Sequence, residues 1–150
     1  MITQEDKELL LKDLCARQPY SVMINTPLFE KPTLLKGIAD NMCWAVVDED
    51  NYEWVDIDDV KPYLRPLSSM TEGERKELSK LCDFVICCCD NDDFGHLGIE
   101  ILTDLYDKDD YYINNNIDIR PIDWLLSHHF DYQDLISKGL ALEASEGMYV

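Results

Sequence analysis

Apolar residues near the start of the chain recur at helical spacing: Leu10, Leu11, Leu14 and Cys15 lie three or four apart or side by side. Thr3, with Asp6 three residues later, matches an N-cap followed by an acidic first turn. The pattern predicts a helix over residues 3–17, ended near Pro19. The period then changes. Residues 20–25 (YSVMIN) read as a strand closed by Thr26-Pro27. Residues 33–38 and 42–47 read as two more strands around a turn at 39–41. Residues 51–57 (NYEWVDI) alternate, with Tyr52, Trp54 and Asp56 on one face and Val55 and Ile57 on the other. Together these segments predict an antiparallel meander of three or four strands.

Residues 61–66 (KPYLRP) carry two prolines and read as a break. Thr71 and Glu74 spell the capping box T-x-x-E. Leu78, Leu81, Cys82 and Val85 carry that helix to residue 85. Residues 84–89 are apolar and fit either a continued helix or a buried strand, which periodicity alone does not separate. Residues 90–93 read as a loop, 97–106 as a short helix, and 107–118 as an acidic, Asn-rich loop with a Tyr-rich tip. Pro121 sits at the first position of a helix running through Phe130. Residues 136–148 read as an extended tail punctuated by Gly139 and Gly147. The elements predict a single α+β domain over residues 1–150. Its small antiparallel sheet has three to five strands, with helices packed on one face.

Composition agrees with a folded chain. At 150 residues, with 46% hydrophobic positions, it can bury about two-thirds of its unfolded surface. The charge changes the picture more. Thirty-one acids stand against thirteen Lys and Arg, for a net charge of −18. Residues 37–60 hold eight acids and no base, and residues 81–119 hold ten acids and one base, Lys108. Those windows sum to −8 and −9 and carry almost the whole excess. Such a surface repels nucleic acid and anionic membrane and attracts basic protein surfaces. No apolar run approaches the ~20 residues of a membrane span. The opening MITQEDKELLLKDL is too polar for a secretion signal. The six cysteines, three of them consecutive, then read as reduced thiols of a cytoplasmic protein.

Three stretches resemble a group of small proteins of unassigned activity from Bacteroidetes genomes and their phages. They are DKELLLKDLCARQPYSVMI, DIDDVKPYLRPLSSMTEGERKEL and WLLSHHFDYQDLISKGLALEASEGMY, nearly half the chain. The resemblance implies a bacterial or phage cytosolic protein and brings no catalytic residues with it. It covers little of either acidic window, and this chain departs from the group's pattern at Gln133, Asp134 and Ser145.

Candidate chemistry is thin. In the loop at 90–101 (DNDDFGHLGIEI), Asp90, Asp92 and Gly95 match calcium-loop positions 1, 3 and 6. Phe94 offers no ligand at position 5, and Ile101 replaces the closing Glu, with Glu100 one place early. Cys82, Cys87, Cys88, Cys89 and His96 lack the C-x2-C spacing that grips zinc from a tight turn. His128 and His129, near Asp123 and Asp131, invite an acid/base or metal-site reading. Adjacent helical residues point about 100° apart, which favours one packed and one exposed imidazole instead. No nucleophile elbow, phosphate-binding loop or dinucleotide fingerprint is present.

The acidic windows also carry aromatics: Trp44, Tyr52, Trp54 and Tyr63 around the first, Tyr106, Tyr111 and Tyr112 in the second. Trp44 reads as a core residue. Rings among carboxylates otherwise suit a protein interface. The predicted binding surface comprises Asp48, Glu49, Asp50, Glu53, Asp56, Asp58 and Asp59 in the first window. In the second it comprises Asp92, Asp93, Asp104, Asp107, Asp109, Asp110, Tyr111 and Tyr112. The expected function is non-enzymatic binding, with no cofactor. The sharper form is a phage-type inhibitor that mimics nucleic acid and fills the basic groove of a host defence or DNA-processing protein. Direct contact with nucleic acid or membrane is not expected. Two alternatives stand beside it: a small enzyme or ligand-binding domain using His128 and His129, and a soluble protein whose charge only keeps it dispersed.

Overall fold

The computed structural model describes residues 2–81 and 120–149. The sequence-predicted elements within residues 82–119 lie outside the described residues. The chain divides into two compact units: Met1–Leu64 with Asp134–Val150, and Arg65–Gln133.

The first unit opens with α1 (Gln4–Arg17). Thr3 Oγ1 accepts the Asp6 N–H at 3.1 Å, and Glu5 and Asp6 place negative charge at the positive end of the helix. The buried stripe of α1 is Leu10, Asp13, Leu14 and Arg17, whereas Cys15 is exposed. Arg17 Nε donates to Asp13 Oδ2 at 2.6 Å, with both side chains fully buried. A short 3-10 turn, Gln18–Tyr20, takes in Pro19, and Ser21 follows in a left-handed conformation.

Four strands then form the predicted meander: β1 (Met23–Thr26), β2 (Phe29–Ala39), β3 (Met42–Val46) and β4 (Tyr52–Asp56). Asp40, at φ +54°, allows the two-residue turn between β2 and β3. The sheet is larger and less uniform than the sequence predicts. Among the described residues it has six strands in the order β4-β3-β2-β1-β5-β6. The extra members are β5 (Lys61–Leu64), antiparallel to β1, and β6 (Leu142–Glu143), parallel to β5.

The predicted break at 61–66 is therefore partly a strand. Pro62 fits there because the parallel ladder begins at Tyr63, so its missing N–H interrupts nothing on that side. The predicted tail is also more structured than expected. Gly139 (φ +76°) closes a turn in which Leu140 N–H bonds to Leu135 C=O at 2.9 Å, and β6 follows. Tyr149 Oη accepts the Met23 N–H at 2.9 Å and donates to Tyr63 C=O at 2.7 Å. Burial pushes the Tyr149 phenol up to about 12. Leu10 and Leu14 of α1 join Val22, Ile24, Leu35, Cys43, Ala45 and Val55 in one core. The helix thus covers one face of the meander.

In the second unit the capping box forms as the sequence predicts. Thr71 N–H donates to Glu74 Oε1 at 3.0 Å, and Glu74 N–H donates to Thr71 Oγ1 at 3.1 Å. It opens α2 (Glu72–Leu81). The next described helix, α3, is Arg120–Ser127, shorter than the predicted run to Phe130. His129 takes φ +65°. Its N–H bonds to Leu126 C=O at 3.0 Å, and the Phe130 N–H bonds to Leu125 C=O at 2.9 Å. That paired closure ends the helix before either histidine extends it. Phe130 and Leu125 are buried, and Trp124 is half-buried.

Candidate protein interface on the open face of the sheet

β3 reads MCWAV, apolar throughout, so sequence alone does not say which of its faces is covered. The covering of one face by α1 decides it. Cys43 and Ala45, fully buried, point toward the core, where α1 comes close. Trp44 is left on the opposite face and is 36% exposed, contrary to its expected place in the core. On β4 the alternation is as predicted. Val55 is buried, while Tyr52 and Trp54 are 52% and 47% exposed.

Register gathers these rings. Trp44 lies directly opposite Trp54, and Val46 opposite Tyr52. The indoles stack at 5.9 Å between centroids with an 18° interplanar angle. Tyr52 meets Trp44 edge-on at 6.2 Å and 88°. On the other side Trp44 faces Gly37 of β2. The half-buried Leu34 and Met23 extend the row from Val46 across β2 and β1. The result is an apolar sheet face with two stacked tryptophans at its β4 edge.

Carboxylates frame it, and they differ in how they are held. Asp48 is tied into its own loop: its oxygens accept the N–H groups of Asp50 and Asn51 and the Asn51 amide at 2.8–3.0 Å. The Asn51 side-chain bonds come first in holding its carboxyl below the usual range. Asp56 caps a 3-10 turn, Ile57–Asp59, through the Asp58 N–H at 2.9 Å. Asp58 pairs with Lys7 at 3.3 Å and is half-buried. Glu49, Asp50, Glu53 and Asp59 are exposed, and their side chains bond no other described residue. Of these, Glu53 shares the Val55 face of β4, whereas Asp56, exposed as well, shares the open face with Tyr52 and Trp54 and keeps its second oxygen beyond the Asp58 N–H. The predicted contributions of Asp92, Asp93, Asp104, Asp107, Asp109, Asp110, Tyr111 and Tyr112 lie outside the described residues.

The alternative centre at the histidines is built differently from the sequence reading. Both imidazoles are half-buried, because the helix stops before them and their directions are set by its closure. His128 stacks on Trp124 at 3.9 Å, with Nδ1 2.9 Å from Trp124 C=O and 3.1 Å from Ser127 Oγ. Trp124 also stacks with Phe130 at 5.8 Å, and the Arg65 guanidinium lies 4.1 Å over the Phe130 ring. Arg65 forks onto Glu74 at 2.7 and 2.8 Å. Each contact here holds a helix end or a ring in place. Among the described residues no group of three or more His, Cys, Asp or Glu is placed to hold a metal. Among the same residues no helix is long and apolar enough to cross a membrane.

No protein-family model, curated protein or solved structure matches the chain. Residue roles therefore rest on the geometry alone.

Proposed function

We propose that this protein is a non-enzymatic binding protein that docks a basic protein surface on the open face of β3 and β4. The observation that carries the reading is the stacked Trp44–Trp54 pair, exposed on the open face at the β4 edge of the sheet and flanked by carboxylates. Exposed indoles are costly to leave in water and are the residues that dominate interface energies. The surrounding charge sets the partner's sign and speeds encounter. No Lys or Arg lies between Gly37 and Val60, and Lys7 pairs with Asp58.

The geometry favours a protein contact over a close copy of duplex DNA. β4, Tyr52–Asp56, spans roughly 13 Å, over which a duplex carries about eight charges, whereas β4 itself carries two acids, Glu53 and Asp56. The hairpin and its flanks supply Asp48, Glu49, Asp50, Glu53, Asp56, Asp58 and Asp59, and rings rather than carboxylates hold the centre. Occupation of a nucleic-acid groove in a host defence or DNA-processing protein is the narrower form of the same proposal.

The test begins with affinity capture from host lysate at low and high salt, followed by reconstitution with the purified partner. Glu49→Lys, Asp50→Lys and Asp59→Lys together, and separately Trp54→Ala, should each weaken binding by about tenfold or more while leaving the circular dichroism unchanged. Binding should weaken as salt rises. Affinity indifferent to both variants removes this face from the interface. A ternary complex with nucleic acid at undiminished affinity removes the groove-filling form alone.

A further inference from the structure

The docking face ends at a sheet edge: among the described residues no strand pairs with the outer side of β4. Folded proteins commonly protect such an edge with lysine, proline, a bulge or short length. β4 has no lysine and no proline, and its register with β3 runs unbroken from Met42↔Asp56 to Val46↔Tyr52. What it carries instead is acid, Glu53 and Asp56.

The direction of its backbone groups follows from the ladder. Val47 N–H bonds to Asn51 C=O, and Ile57 N–H to Asn41 C=O, each at 2.8 Å. Bonded pairs alternate with non-bonded ones along an antiparallel ladder. Glu53 and Val55 therefore bond inward to β3, and the N–H and C=O groups of Tyr52, Trp54 and Asp56 point to the outer edge. Those same three residues carry their side chains on the open face.

Building on the basic-partner reading, we propose that β4 accepts an extended basic segment of the partner as an antiparallel seventh strand. Residues directly opposite in such a ladder share a face. Partner residues bonding to Tyr52, Trp54 and Asp56 thus project onto the aromatic side. Arginines there meet the Trp54 ring and the Asp56 carboxylate. A second copy of this chain is a poor occupant because it brings the same −18 charge. The stretch 82–119 of this chain, with ten acids and one base, is disfavoured for the same reason.

The probe is an end-capped nonapeptide of alternating arginine and threonine, titrated at low salt. Wild-type protein should bind it, Trp54→Ala should bind it at least about tenfold more weakly, and a glutamate–threonine peptide should not bind. N-methylation of the arginines blocks the donors that face β4 and should cost at least about tenfold, while N-methylation of the threonines should leave affinity nearly unchanged. Amide exchange at Tyr52, Trp54 and Asp56 should slow by about tenfold or more in the complex. Equal binding of both methylated peptides with no added protection overturns the seventh strand and leaves face docking in place. A greater loss from threonine methylation overturns the antiparallel ladder. Failure of the unmodified arginine peptide to bind folded protein overturns both this inference and the basic-partner reading.

Discussion

Trp44 and Trp54 face each other across a non-bonded pair of the β3–β4 ladder, where strands come closest, and their rings stack on the uncovered side of the sheet. Because the pair is wet, its contribution to folding is small. Trp54→Ala should lower stability by about 1 kcal/mol or less in denaturant melts. A loss above about 3 kcal/mol would mean the ring is part of a core rather than a docking face.

Phe130 is the opposite case. It is fully buried, stacks with Trp124 and lies beneath the Arg65 guanidinium. Phe130→Ala should cost about 3–5 kcal/mol in the same measurement. A cost well below 1 kcal/mol would show that this part of the structure is loosely packed.

Glu74 gives a pH dependence. Hydrogen bonds from Arg65 hold its carboxyl at about 2, well below its ordinary value of 4.5. A carboxyl depressed by folding stabilises above its unfolded pKa and ceases to do so as pH falls through its folded one. The contribution should be full at pH 6 and fade between about pH 5 and pH 2. Melts of wild type and Glu74→Gln across that range should converge at the acid end. Parallel curves would mean the fork from Arg65 does not form.

Asp13 and Arg17 are buried on the core stripe of α1. Asp13→Ala leaves the Arg17 guanidinium without this carboxylate and should cost about 3–5 kcal/mol. Replacing both, with Asp13→Leu and Arg17→Met, should recover most of that loss. Unfolding free energies of the single and double variants decide it, since a double variant no better than the single would place the cost elsewhere.

The thiols should differ in reactivity. Burial pushes the Cys43 thiol up to about 12, whereas Cys15 is exposed. Alkylation of native protein near pH 8, read by peptide mapping, should label Cys15 and spare Cys43. Equal labelling would place Cys43 at the surface.

What the sequence disclosed was local. Thr3 with Asp6 and Thr71 with Glu74 act within one helical turn, so three residues of spacing were enough to read them. The meander followed from alternation and short turns. β5 and β6 were missed because their pairing depends on distant partners, Ile24 for Pro62 and Tyr63 for Leu142. Trp44 was misplaced because every position of β3 is apolar, and only the covering of one face by α1 decides the matter. The α1 ion pair did leave a signal. Leu10, Asp13, Leu14 and Arg17 follow the i, i+3, i+4, i+7 stripe, with opposite charges four apart. The neighbouring Leu11 and Cys15 obscure it by offering a second apolar row at the same spacing.

The phenol of Tyr149 has a consequence for synthesis. It bridges β1 and β5, yet 86 residues separate it from Tyr63. At about 5–20 residues per second a ribosome needs roughly 4–17 s to travel that far. During that interval β5 stands on the nascent chain with one side unmatched, waiting for β6 and the tyrosine that follow it in the chain. A strand side without its partner is open to wrong pairing, so for those seconds the half-finished sheet is exposed to misassembly.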